Sequence, residues 1–379
     1  MPQLGHQWDF NAAVKFSDIS TKRKEGQLTY KPDSQQVMHW HNIALRAGTR
    51  DLIRALKQTA MYTNSKHFNR RQFLTAAGIL TVGAVAFRTD LFGQVKGDGP
   101  VQQINKAAAT AKIKVTKLRG NISMVEGSGG NIAVLNGPDG KLLVDAGINV
   151  SKAHMIPALQ SISERPIRFL INSHWHFDHT SGNVWLHEAG ATIISQDVTR
   201  ARLSQKVYQP EWDYTFDPLP KEGIPSIVYK DAFTKDFNGE TIQVKTYKPA
   251  HTDGDSSIYF PKADILHVAD TFWNAYYPFI DYATGGSIDG MIAAAALNVE
   301  QTTKHTIVIP GHGAIGNRDQ LIRFHDMLAT VRDNVARLKK QGRTLPEVIA
   351  AKPTAAFDPV FGNYVIKGDF FAKLVYRGV

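Results

Sequence analysis

The stretch INSHWHFDHTSG, Ile171–Gly182, places four metal-competent side chains, His174, His176, Asp178 and His179, within six residues. It follows the apolar run PIRFLI and leads into GNVWLHEAG, so the cluster sits between a strand and a helix. Such a loop is either a metal site or a polar turn rich in histidine, and the positions of the other donors decide between them. His251 in KPAHTDGDSS follows a strand-like segment, Asp270 ends the strand ILHVAD, and His312 in IPGHGAIG follows HTIVIP. Loops at strand ends on one sheet edge can converge on a point, and glycine on both sides of His312 lets its backbone approach closely. The chain has no cysteine, so a metal here is held by imidazole and carboxylate alone.

Other histidines lack this context. His39 and His41 repeat the His-x-His spacing with no acidic or histidine follow-up, while His187, His267 and His305 read as helix-face, packed or surface residues. Asp253 and Asp255 flank His251 and read equally well as partners that orient its ring or as ordinary turn residues.

Outward from the cluster, KIKVTKL, NISMVEG, NIAVLNG and KLLVDAG are apolar or alternating runs separated by turn residues, the clearest turn being Pro138-Asp139-Gly140. A helix is expected from about Ser151 to Glu164, a strand at ATIIS and a helix through DVTRARLSQ. The second half repeats the pattern, with strands at ETIQVKTYKP, SSIYFP, DILHVAD and HTIVIP. Helices follow at SIDGMIAAAALNVEQT and from an Asn317 cap to about Gln341, and a terminal amphipathic helix closes the chain. Strand blocks interleaved with helices in each half predict an α/β chain with two packed sheets and helices outside.

The net charge of +10 is concentrated at the N-terminus: residues 1–86 hold twelve Lys/Arg against five Asp/Glu, which leaves a surplus of three over the remaining 293 residues. The body therefore offers little electrostatic footprint for nucleic acid. NRRQFLTAAGILTVGAVAF, Asn69–Phe87, has paired arginines before an apolar run and a small-x-small site at Ala84-Val85-Ala86. It looks like a twin-arginine export signal, too short for a stable membrane anchor. The expected organisation is an upstream extension over 1–60, disordered or ahead of the true start, a twin-arginine signal over 61–87, a linker over 88–111, and a hydrolase domain over 112–379 with C-terminal helices. The translocation machinery is then a partner and the periplasm the destination.

His174-x-His176-x-Asp178-His179 followed by His251, Asp270 and His312, in that order, resembles the metallo-β-lactamase superfamily of dinuclear zinc hydrolases over roughly Lys112 to Leu338. The resemblance implies a four-layer αββα sandwich. It also implies a first metal on His174, His176 and His251, a second on Asp178, His179 and His312, and Asp270 shared by both. Two Zn2+ per chain are expected, with iron or manganese compatible with the same donors. A hydroxide bridging them would attack a carbonyl centre, with Asp178 orienting it.

The metal donors do not select the substrate. HTDGDSSIYFPKADILHVADTFWN and VIPGHG resemble the first β-lactamase subclass, but that subclass has cysteine where Asp270 stands and lysine where Trp273 stands. A bridging aspartate is the pattern of glyoxalase II, lactonase and RNA-processing branches. A small-molecule carboxylic ester, thioester or lactone is the expected substrate, with the β-lactam amide as the alternative and sulfate esters, phosphodiesters and RNA behind them. Trp273, Tyr276 and Tyr277, directly after Asp270, are expected to wall the pocket.

Overall fold

The structure is a computed structural model that describes residues 99–379. The upstream extension, the twin-arginine stretch and the linker up to residue 98 lie outside the described residues. The rest of the expected linker is not all loop. Pro100–Thr110 forms helix α1, with Pro100 at its first position and Val101 and Ala108 buried.

Seven strands make the first sheet: β1 (Lys114–Lys117), β2 (Ile122–Glu126), β3 (Ile132–Gly137), β4 (Gly140–Val144), β5 (Ile167–Ile171), β6 (Thr192–Gln196) and, after the short ribbon β7 (Val207–Gln209) and β8 (Tyr214–Phe216), β9 (Ile227–Tyr229). The first four pair antiparallel through tight turns, whereas β4, β5, β6 and β9 pair in parallel. Parallel pairing needs crossovers. These are helix α2 (Lys152–Ile162), then the one-turn α3 (Phe177–Thr180) with α4 (Asn183–Glu188), and α5 (Asp197–Leu203) together with the β7–β8 ribbon.

The second sheet runs β10 (Ala232–Phe237), β11 (Glu240–Thr246), β12 (Ser256–Phe260), β13 (Ile265–Trp273) and β14 (Ile307–His312) in that order. Helix α6 (Ile288–Gln301) links β13 to its parallel partner β14, capped by Ser287, whose hydroxyl accepts from Gly290 N at 3.0 Å. Helices α7 (Arg318–Lys340), α8 (Leu345–Ala350), α9 (Asp358–Phe361) and α10 (Gly368–Gly378) complete the chain. Asn317 caps α7 as its sequence position predicts, accepting from Gln320 N at 3.0 Å.

The central strands, among them β2–β4 and β12–β14, are buried on both faces, and successive side chains serve different cores. Met124, Ala133, Leu135, Leu142 and Val144 face Ile242, Val244, Ile258, Phe260 and Ile309 between the sheets. Their neighbours Val125, Ile132, Val134 and Leu143 pack outward on Met155 and Leu159 of α2 and on Trp185 and Leu186 of α4. On the far side, Leu266, Val268 and Val308 pack against Met291, Ala295, Phe324, Leu328 and Phe371 from α6, α7 and α10. Three apolar layers between four structural layers give the αββα sandwich. Each fully buried aliphatic side chain contributes about 1.5–3 kcal/mol to holding it together.

Candidate metal centre

All seven predicted donors meet at one edge of the two sheets. His174, His176, His251 and Asp270 form one group and Asp178, His179 and His312 a second, with the donor atoms of each group within 4.8 Å of one another. Asp270 stands between the groups. Its Oδ2 is 3.3 Å from His251 Nε2, 3.4 Å from His312 Nε2 and 4.0 Å from His174 Nε2, and its Oδ1 is 3.0 Å from His179 Nε2. Asp178 Oδ2 closes the second group at 3.2 Å from His312 Nε2.

The local backbone explains the convergence. Asp270 does not end its strand, because β13 runs on to Trp273. The strand shifts register against β14 around Ala269, a non-glycine residue at φ 44°. That irregularity in an otherwise continuous ladder re-aims the carboxylate toward the histidines. His312 is likewise the last residue of β14, paired with Trp273, rather than part of a free loop. Gly311 before it is required by crowding: a Cβ there would collide with Asp270 Oδ1 and with the backbone of Ala269 and Asp270.

Four of the five histidines have their second ring nitrogen occupied. His176 Nε2 lies 2.9 Å from Asp281 Oδ2 while its Nδ1 faces His251 Nε2 at 2.8 Å. His179 Nδ1 is 2.8 Å from Asp145 Oδ2, His251 Nδ1 is 2.8 Å from the Phe279 carbonyl, and His174 Nδ1 is 3.0 Å from Ser173 Oγ. These contacts fix which nitrogen of each ring points at the centre. His174 Nε2 is then buried without a hydrogen-bond partner, and His179 Nε2 and Asp270 Oδ1, though 3.0 Å apart, lack hydrogen-bond alignment and have no other partner. Unpaired buried polar atoms are costly, and a cation among them removes the cost, so the donor set fits metal binding.

The electrostatics show the same demand for positive charge. Burial depresses the His174 and His251 imidazoles, His251 to about 4, and neighbouring histidines add to this for both rings. For His179 and His312 burial acts downward too, but Asp270 and Asp178 overcome it and raise both, His312 to about 9. Asp270 is pushed up by burial yet ends well below the carboxylate range because His179, His312 and His251 surround it.

Asp145 and Asp281 carry no expected role in the sequence, yet they anchor the site. Asp145 follows β4 at φ 68° and is fully buried, and it also accepts from Ser173 N at 2.8 Å and Ser173 Oγ at 2.7 Å. Its signal was available, since LLVDAG ends a strand on an aspartate just as LHVAD approaches one. Asp281 accepts from Gln209 Nε2 at 2.6 Å, from Thr284 Oγ1 at 2.6 Å and from the backbone of Ala283 and Thr284. Burial pushes this carboxyl up, but the His176, Thr284 and Gln209 contacts hold it down at about 2. Asn131 is a third unforeseen residue: its amide donates to the Pro310 and Gly313 carbonyls at 2.9 Å each, clamping the backbone on both sides of His312. Of the flanking acids, Asp255 accepts from the His251 backbone N–H at 2.7 Å, whereas Asp253 pairs with Arg202.

A cleft of about 1030 Å³ opens from His312. Tyr276 lines it, as do Trp212 and Tyr364, with Tyr276 and Tyr364 stacked at 4.5 Å. The expected role of Tyr277 is corrected. It is fully buried, stacks on Phe371 at 4.7 Å and hydrogen-bonds Asp358 Oδ1 at 2.9 Å, because the chain after β13 turns its side chain into the core beneath α10. Trp273 does not wall the cleft either. Only 4% exposed, it packs against the His312 ring with centroids 4.2 Å apart.

An αββα sandwich with this His/Asp cluster at its edge is the architecture of one protein superfamily. The chain belongs to the metallo-β-lactamase superfamily, whose family pattern matches residues 125–312. A linear primary-alkylsulfatase of Pseudomonas sp. is 21% identical over 290 residues, covering 65% of this chain and 54% of the relative. The chain thus spans about half the length of that curated relative. Among solved structures, a stereoselective inverting sec-alkylsulfatase from Pseudomonas sp. superposes with a TM-score of 0.52 at 15% identity, over 75% of this chain and 53% of that one. A metallo-β-lactamase from Pontibacter korlensis has a TM-score of 0.48 at 16% identity, over 57% of this chain and 99% of that one.

Proposed function

We propose that this chain is a dinuclear zinc hydrolase of neutral carbonyl esters, with carboxylic esters, thioesters and lactones as its substrate class, and that it is exported through the twin-arginine route. His174, His176 and His251 would hold one ion and Asp178, His179 and His312 the other, with Asp270 shared. When bound, the ions supply Lewis acidity and bring the pKa of water toward ~7. Asp178, the most exposed of the donors at 14% of its side chain, accepts a hydrogen bond from the attacking water and orients it toward the carbonyl carbon. The water oxygen bonds to that carbon, the carbon–alkoxy bond breaks, and a proton released by that water passes to the leaving alkoxide. Trp273 against His312, and Trp212 packed 5.1 Å from Phe279, exclude bulk water from the two flanks of the cluster.

The observation that favours a neutral carbonyl substrate is the charge of the cleft. Among the described residues that line it, Lys367 is the single lysine or arginine, and its Nζ donates to the Gly362 carbonyl at 3.1 Å. Glu126 and Glu211 also line it, paired with Lys114 at 2.8 Å and Arg377 at 3.0 Å. A sulfate monoester or a β-lactam carboxylate is recognised best by a cluster of arginines or lysines, and this cleft offers one lysine beside two glutamates. Sulfate-ester hydrolysis is the second reading, favoured by the name of the Pseudomonas relative.

The test is a panel of phenyl acetate, an acyl thioester, a lactone, nitrocefin and an aryl sulfate, compared by kcat/KM with the zinc-loaded protein. At least tenfold preference for the uncharged carbonyl substrates is expected, with activity abolished by a chelator and restored by zinc. Preference for the sulfate or for nitrocefin overturns the ester assignment in favour of that substrate.

A further inference from the structure

The cleft extends well beyond the metal donors, and its outer walls come from parts of the chain on either side of the matched family segment. Pro100, Gln103, Ile104, Ala107, Ala108 and Ala111 all face it. Their spacing is that of a single helix face, so the cavity runs along α1 for its whole length, roughly 16 Å for eleven residues. Three of the six are alanine, which keeps the space open. The opposite wall is the segment between α9 and α10, with Val365, Ile366 and Phe370, and Val365 remains 49% exposed. An apolar side chain left half in water at the lip of an apolar slot is the arrangement expected where a ligand completes the burial.

Resting on the hydrolase reading above, we propose that this slot holds a linear hydrocarbon arm of the substrate, so that the natural substrate is an uncharged amphiphilic ester. The chain lies between α1 and Val365–Phe370, and the carbonyl sits at the His312 end. A mainly apolar slot that runs the length of α1 and reaches His312 favours an extended alkyl or acyl chain over a compact ligand. Each methylene group moved from water into the slot strengthens binding roughly fourfold.

Two measurements on the full chain test this. The first compares kcat/KM for acetyl, butyryl, octanoyl and decanoyl esters of one alcohol. A rise of at least a hundredfold from acetyl to decanoyl, carried by KM, is expected, and Ala107→Glu or Val365→Glu should cut the decanoyl-to-acetyl ratio at least tenfold while Ala107→Val largely keeps it. The second titrates chelator-treated protein with undecanol bearing a terminal bromine, which quenches nearby tryptophan. Saturable quenching that is reduced in Trp212→Phe and weakened tenfold by Ala107→Glu is expected.

Equal rates for short and long esters without quenching overturn the slot and leave the hydrolase reading standing. Saturable quenching without turnover of any ester supports the slot and sinks the ester reading.

Discussion

His176 presents Nε2 to Asp281 at 2.9 Å and Nδ1 to His251 Nε2 at 2.8 Å, so one carboxylate 105 residues away selects the nitrogen that faces the metal cluster. Asp281 is itself fixed by five hydrogen bonds, which makes it a rigid brace.

Asp281→Asn should therefore weaken metal binding by the first group about 10–100-fold, the usual loss when a ligand's outer partner is changed. Competition with a fluorescent zinc chelator measures it. An affinity within twofold of the parent would show that packing alone orients His176.

The same carboxylate predicts a pH dependence for the metal-free protein. Burial raises the Asp281 pKa, but its hydrogen bonds outweigh this and leave it at about 2, below the ordinary value of 3.8. A depressed folded-state pKa means the stabilisation is complete above the unfolded value and is lost as pH falls through the folded one. The contribution is on the order of 2–3 kcal/mol. Urea unfolding of chelated parent and Asp281→Asn should differ by about that amount at pH 6–7, and the gap should narrow steadily below pH 4. A gap independent of pH would assign the effect to lost packing instead.

Asp145 plays the corresponding part for His179 in the second group. Asparagine tolerates its left-handed backbone better than alanine does, so Asp145→Asn isolates the carboxylate. Zinc content after dialysis should fall selectively by one equivalent, with kcat lowered at least tenfold and circular dichroism retained. Unchanged stoichiometry would place the second ion's hold elsewhere.

Tyr277→Phe separates core from cleft. It removes hydrogen bonds to Asp358 Oδ1 and the Thr354 carbonyl and should cost about 1–3 kcal/mol of stability. KM for any substrate should stay within twofold. A large rise in KM at unchanged melting temperature would return Tyr277 to the substrate site.

The layer architecture was legible because alternate residues of runs such as ISMVE and IAVLN serve two different cores, so whole strands read as apolar. The seven donors were legible because their chemistry is carried by residue type and by position close to strand ends, both of which are local properties. Tyr277 and Trp273 were misplaced for a related reason: adjacency to Asp270 says nothing of which way each side chain points after the strand. Ring-nitrogen choice at His176 and His179 depends on Asp281 and Asp145, which are local to neither histidine in the chain. The slot is likewise formed by α1 and the segment before α10, more than 250 residues apart. Sequence by itself determined the fold class and the seven candidate donors; only tertiary structure decided which groups orient their side chains and which walls enclose the cleft beside them, because hydrogen-bond partners and cavity walls are matters of distance in space.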